Sequence, residues 1–150
     1  MNVFELLKQD HQKVRDIFSQ LVNTSGQEKR GRQDLFQELK RELVAHGHAE
    51  EKAFYPKLVD KPPTHDIVED GINEHHQFEQ MIVRIETMPV DSEEWLTAVG
   101  DLEKMVEHHV REEENDMFVK ARKLLPADQL DPIGEQVKKV EDQERRSLSM

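Results

Sequence analysis

Leu43-Val-Ala-His46-Gly-His-Ala-Glu50-Glu-Lys-Ala-Phe-Tyr55-Pro56 places an imidazole and a carboxylate four residues apart on a helical pattern, so both project from one face. The stretch returns 63 residues later as Val106-Glu-His-His109-Val-Arg-Glu-Glu113-Glu-Asn-Asp-Met-Phe118, with His, Glu, a second Glu and an aromatic residue at the same offsets. The repeat extends upstream, where Asp10-His11-Gln12-Lys-Val14 matches Glu74-His75-His76-Gln-Phe78. His11 to His46 is 35 residues and His75 to His109 is 34, the spacing of two copies of a helix, loop, helix unit. Each copy supplies two His and one Glu.

Outward from these motifs the chain divides into helices. Asn2 and Glu5 form a plausible capping box, and Val3, Leu7, Val14, Phe18 and Leu21 keep a three/four spacing to about Val22, with His11 where a core residue is due. A second helix is expected from Gly31 or Arg32 to about Val59, carrying Leu35, Leu39, Leu43, His46, Glu50 and Phe54 in one stripe. A third runs from Thr64 or His65 to Met88 with His75 inward, and Pro89 stops it. Asp91-Ser-Glu-Glu94 opens a fourth, which carries His109 and Glu113 on its stripe and ends at Leu125-Pro126. Asp131-Pro132 opens a shorter charged helix to about Arg146, an appendage whose Ile133, Val137 and Val140 fit packing on the bundle or on a partner subunit.

The fold class is therefore all-α: an up-down-up-down antiparallel four-helix bundle over residues 1–126, with a C-terminal helical extension over 127–150. The 35% apolar and 35% charged fractions suit helices with solvated outer faces. A net charge of -11 and the lack of a basic stripe argue against a nucleic-acid partner. No apolar run is long enough to span a bilayer and no basic-then-apolar leader opens the chain, so a cytoplasmic protein is expected. Zero Cys removes thiolate chemistry, Fe–S clusters and Cys-type zinc sites, so a metal here must use N and O ligands.

In such a bundle the inward stripes face one another, bringing His11, His46, Glu50, His75, His109 and Glu113 towards mid-bundle. Four imidazoles and two carboxylates able to bridge make a dinuclear, iron-like donor set. A lone His-x-x-x-Glu pair is weak, since His65/Glu69, His75/Glu79 and His108/Glu112 match it too. Internal repetition, matched spacing and six inward polar residues that need a compensating partner outweigh the competing reading, a purely structural polar cluster. His65 reads as a surface or capping residue; His48, His76 and His108 lie off the stripe and flank the site or face solvent. Glu79 has a salt bridge as its plain reading, and Tyr55 and Phe118 read as bundle-end packing.

At these residues the chain resembles the hemerythrin-like, or HHE cation-binding, family from about Asn2 to Pro126. Asp10-His11 resembles the family's first-helix His, His46 to Glu50 with Glu51 and Tyr55-Pro56 its second-helix motif, Glu74-His75 its third-helix His, and His109 to Glu113 its last motif. The resemblance implies a non-haem di-iron centre joined by carboxylate and oxo or hydroxo bridges that meets oxygen, peroxide or nitric oxide. Oxygen-carrying members have His-x-x-x-His on the third helix, whereas here Glu79 follows His75. A missing nitrogen ligand leaves the metals more open, which favours redox and nitrosative stress response or iron handling over oxygen transport, and leaves enzymatic turnover of peroxide or nitric oxide an open question. The alternative is a metal-dependent sensing or binding module without turnover, reporting through the fifth helix to a protein partner or a second copy. Two iron ions are the expected cofactor; zinc and manganese suit the same N and O donors.

Overall fold

The computed structural model describes residues 1–149. Helix α1 (Val3–Val22) starts where Asn2 Oδ1 accepts the Glu5 amide at 2.9 Å, while the Asn2 side-chain amide donates to Glu5 Oε1 at 3.1 Å. The carboxylate thus grips the capping side chain rather than its backbone amide. Helix α2 (Lys29–Ala49) begins slightly earlier than the glycine at 31 suggests. Arg32 in its first turn is buried, donating to Thr24 Oγ1 (2.9 Å), Thr24 O (3.1 Å) and Val90 O (2.8 Å). Its guanidinium lies 5.1 Å from the Trp95 ring centroid, so one cation staples the two loops at that end of the bundle.

After Ala49 the hydrogen-bond register widens. Glu50–Phe54 is a π-helical turn in which the Tyr55 amide donates to Glu50 O, five residues back, and Tyr55–Lys57 closes the rod as a 3₁₀ turn. Helix α3 (Pro62–Glu86) starts on Pro62-Pro63, whose missing amides would have no helical acceptor in a first turn. Helix α4 (Glu93–Glu112) is capped by Ser92, not Asp91: Ser92 Oγ accepts from the Trp95 amide at 3.1 Å. It passes through a second π turn at Glu113–Met117, closed by the Phe118 amide on Glu113 O, into α5 (Phe118–Leu124). The internal repeat therefore includes two π turns, each starting at the inward Glu. Such widened turns are uncommon and cluster at functional sites.

Helix α6 (Leu130–Leu148) follows a 3₁₀ turn at Ala127–Gln129, which places Asp131 inside the first turn instead of at its cap. It lies on α1 and α2 with Ile133, Val137 and Val140 buried. Glu42 of α2, itself buried, accepts Lys13 Nζ at 2.9 Å and Arg145 Nε at 2.9 Å, tying α1, α2 and α6 through one carboxylate. Among the described residues there is no strand, and no helix is long and apolar enough to cross a membrane.

The apolar core falls into two layers. One gathers Phe4, Leu7, Phe54, Leu58, Phe118 and Val137; the other gathers Phe18, Leu21, Phe36, Leu39, Ile82 and Leu102. Each fully buried side chain of this size stabilises by about 1.5–3 kcal/mol relative to exposure. The inward His and Glu residues lie along the same stripes between these two layers, so packing on both sides fixes their positions.

Candidate metal centre

All six inward residues are buried, none more than 6% exposed. Their ligand-bearing atoms fall into two groups, His11, His46 and Glu113 in one and His75, His109 and Glu50 in the other, with the atoms of each group within 4.8 Å of one another. The two His of each repeat stay together, with ring centroids 5.0 Å apart for His11 and His46 and 4.9 Å for His75 and His109. The carboxylates join the halves. Glu50 Oε1 lies 3.1 Å from His46 Nε2 and 3.3 Å from His75 Nε2. Glu113 places Oε1 3.1 Å from His11 Nε2 and Oε2 3.4 Å from His109 Nε2.

The outer nitrogen of every ring is held by a further acid. Nδ1 of His46 faces Asp10 (2.9 Å), that of His109 faces Glu74 (2.7 Å), that of His75 faces Glu51 (2.8 Å) and that of His11 faces Glu114 (2.6 Å). A carboxylate accepting Nδ1–H fixes the tautomer, aims Nε2 at the centre and makes it a better donor. Each of these acids is the chain neighbour of an inward ligand: Asp10 and Glu74 precede His11 and His75, and Glu51 and Glu114 follow Glu50 and Glu113. Asp10 and Glu74 serve the second His of their own repeat, while Glu51 and Glu114 cross to the first His of the other. The sequence displays these acids in both copies, but their destination depends on the π turns, which turn two consecutive Glu towards the interior.

The aromatic pair also belongs to the site. Phe118 stacks on His11 at 6.2 Å and Tyr55 stacks on His75 at 5.6 Å, nearly parallel in both cases. The expectation of simple end packing holds for Phe118 only in part and misses the Tyr55 hydroxyl, which donates to Glu113 Oε2 at 2.6 Å. Gly71 makes room for it, since a Cβ there would lie 2.9 Å from the hydroxyl. Burial and the carboxylates Glu113 and Glu50 hold the Tyr55 phenol well above its usual range, so it remains a donor.

The electrostatics are those of a site made for positive charge. Burial opposes charge on His109, yet the neighbouring carboxylates Glu113 and Glu74 prevail and raise it to about 10. His11, His46 and His75 are raised for the same reason against the same opposition, and His neighbours hold Glu113 well below the usual carboxylate range although burial pushes the other way. Even so, Nε2 of His46, His75 and His109 and both oxygens of Glu50 are buried without a hydrogen bond of acceptable geometry. Each such atom costs about 1–3 kcal/mol. Nitrogen and oxygen donors aimed at common points in a dry interior fit cations, which would satisfy them together.

The remaining His residues do not join them. His65 Nδ1 sits 2.6 Å from Val59 O at the start of α3, His76 is exposed, and His108 points out to Glu112. Glu79 is partly exposed, its Oε1 3.3 Å from His48 Nε2, and it belongs to neither group of ligand atoms.

The profile of the Hemerythrin HHE cation binding domain matches residues 2–121. This chain belongs to that family. A crystal structure of a Hemerythrin HHE cation binding domain-containing protein from Mycobacterium kansasii superposes with a TM-score of 0.86 at 23% identity, over 98% of this chain and 89% of that one, and so shares the HHE fold. A protein of Nostoc sp. named DNA nickase is 27% identical over 129 residues. The match takes in 86% of this chain but 36% of that protein, so the HHE chain spans about a third of its relative's length.

Proposed function

We propose that this HHE protein holds two iron ions between its six inward residues and reacts there with dioxygen, peroxide or nitric oxide, in redox or nitrosative defence or in iron handling. The observation that carries this reading is the convergence of four Nε2 atoms and two carboxylates, with every Nδ1 already committed to an acid. His11 and His46 would hold one ion and His75 and His109 the other, with Glu50 and Glu113 as the carboxylate donors. A bound iron pair supplies one- and two-electron redox chemistry towards small oxygen and nitrogen species.

The chain's own part is positional. The Nδ1 acids keep the imidazoles from rotating, and the Tyr55 hydroxyl holds Glu113 Oε2. A cavity of about 10 Å³, the room of a single water-sized molecule, lies against the four His under Val14, Leu43, Phe78, Val106 and Val110. Its apolar lining suits a small, weakly polar ligand and excludes larger substrates. Loading displaces protons from Nε2, so binding is linked to pH.

DNA nicking by the Nostoc relative is not extended to this chain. With a net charge of -11 the HHE domain offers no phosphate-binding stripe.

A specific observation favours a second reading, a metal-dependent sensing module without turnover. Glu141 of α6 is fully buried 3.7 Å from His46 Nδ1, so the C-terminal helix touches the outer side of a ligand and could pass its state to a protein partner or a second copy. Metal content after anaerobic loading with ferrous iron, followed by decay of added peroxide, separates the readings. Two irons per chain with catalytic decay support the redox protein. Two irons with no decay leave the sensor, and a chain that takes up no iron sinks the first reading.

A further inference from the structure

A second cavity lies beside the centre on its α2–α3 side. It also holds about 10 Å³ and shares Leu43, His75 and Phe78 with the inner cavity, so these three side chains are the common wall of the two. The outer cavity exists because position 47 has no side chain: a Cβ on Gly47 would lie 3.3 Å from Cγ and Nδ1 of His75, tight against the ring. Its outer lining is the polar pair of His48 and Glu79, which are 35% and 39% exposed and 3.3 Å apart. Glu144 of α6 holds the other nitrogen of His48 at 3.2 Å. The cleft between α2 and α3 thus has a partly exposed polar rim at His48 and Glu79 and the ring of His75 in its inner wall.

We propose that small ligands reach the centre between α2 and α3, through the cleft over Gly47 whose mouth is closed by the His48–Glu79 pair. The proposal rests on the reading of the centre as one that takes a small ligand. Glu79, partly exposed, serves as part of the mouth. The common wall of Leu43 and Phe78 must give way by side-chain rotation, a motion of the picosecond-to-nanosecond class in mobile side chains and slower in packed ones. A molecule of two or three heavy atoms fits this path, whereas a chelator or an organic peroxide of drug size does not.

Two measurements test the route. In the zinc-treated full chain, dissolved dioxygen under pressure enhances nuclear relaxation of the methyl groups it visits. Val44 and Ile82, which flank the cleft, are expected to show larger enhancements than Ile17 and Leu102, buried elsewhere in the same layer; equal or smaller enhancements overturn the route. In the ferrous-iron-loaded chain, V44F narrows the cleft without touching a ligand. It is expected to slow nitric oxide association and dissociation several-fold by the same factor, leaving Kd unchanged, while E79A speeds both. Wild-type rates in V44F overturn the route. A wild-type chain that takes up no nitric oxide counts against the redox reading, and the dioxygen measurement still decides the path.

Discussion

The Tyr55 hydroxyl donates to Glu113 Oε2 over 2.6 Å, and the residue 63 positions later that repeats it, Phe118, has no hydroxyl to offer Glu50. Ring for ring the halves agree, since each aromatic stacks on a His. The asymmetry lies in the phenol oxygen, so of the two carboxylates only Glu113 is held by an aromatic hydroxyl.

Y55F should remove a buried hydrogen bond to a charged acceptor and lower the stability of the metal-free protein by about 1.5–3 kcal/mol. Urea unfolding of the metal-free forms measures this. A change below experimental error would mean that the phenol contributes nothing to holding Glu113.

The Nδ1 acids make a sharper case. E51Q, E74Q and D10N each keep the shape of the side chain while weakening its hold on an imidazole, and each is expected to lower metal affinity by about 10–100-fold. Competition with a chromophoric chelator gives the affinities. H108A, which removes an exposed ring outside the centre, should bind metal like the wild type.

The metal-free protein should lose stability as pH rises. His109 is raised to about 10 in the folded state, against about 6.5 for the free side chain. The folded state therefore holds the proton more tightly, its contribution is complete below pH about 6.5, and it is lost as pH climbs through 10. The loaded protein should behave oppositely, releasing metal as pH falls because protons compete for Nε2. Thermal midpoints of both forms between pH 6 and 10, as an approximate range set by these values, display the crossing trends.

Burial, together with Asp10, lifts the Glu141 carboxyl to about 7. Its proton is favoured in the folded state, so the charged form is a growing liability between its unfolded value and pH about 7. E141Q carries the neutral shape permanently and should stabilise the protein above pH 7 by on the order of 3 kcal/mol while changing little near pH 4. An E141Q chain that melts below the wild type at pH 8 would contradict this.

The bundle and its six inward residues were legible because each leaves a trace on a helical stripe: His11 falls between Leu7 and Val14, and Glu50 one turn from His46. The reach of α6 was less so. Ile133, Val137 and Val140 show an apolar stripe but not the surface it meets, and Glu141 reads as one acid among many until a helix from far along the chain presses it against Asp10. The π turns leave no mark in periodicity, because a register change of one residue is absorbed within the next turn. For that reason the repeated second Glu was visible at 51 and 114, but not that it holds His75 and His11. Ser92 and Asp91 are both good caps, and only the geometry of the Trp95 amide distinguishes them.

The crossed acids have a consequence for the single hairpin. Glu51 and Glu114 each reach into the opposite repeat, so one hairpin alone would carry two imidazoles of which one lacks its anchor. Two copies of that hairpin related by a two-fold axis would repair each other, every missing anchor being donated by the sister copy. Two such hairpins joined end to end would reproduce the crossed anchors of the present chain, in which the phenol of Tyr55 has no counterpart in the second half.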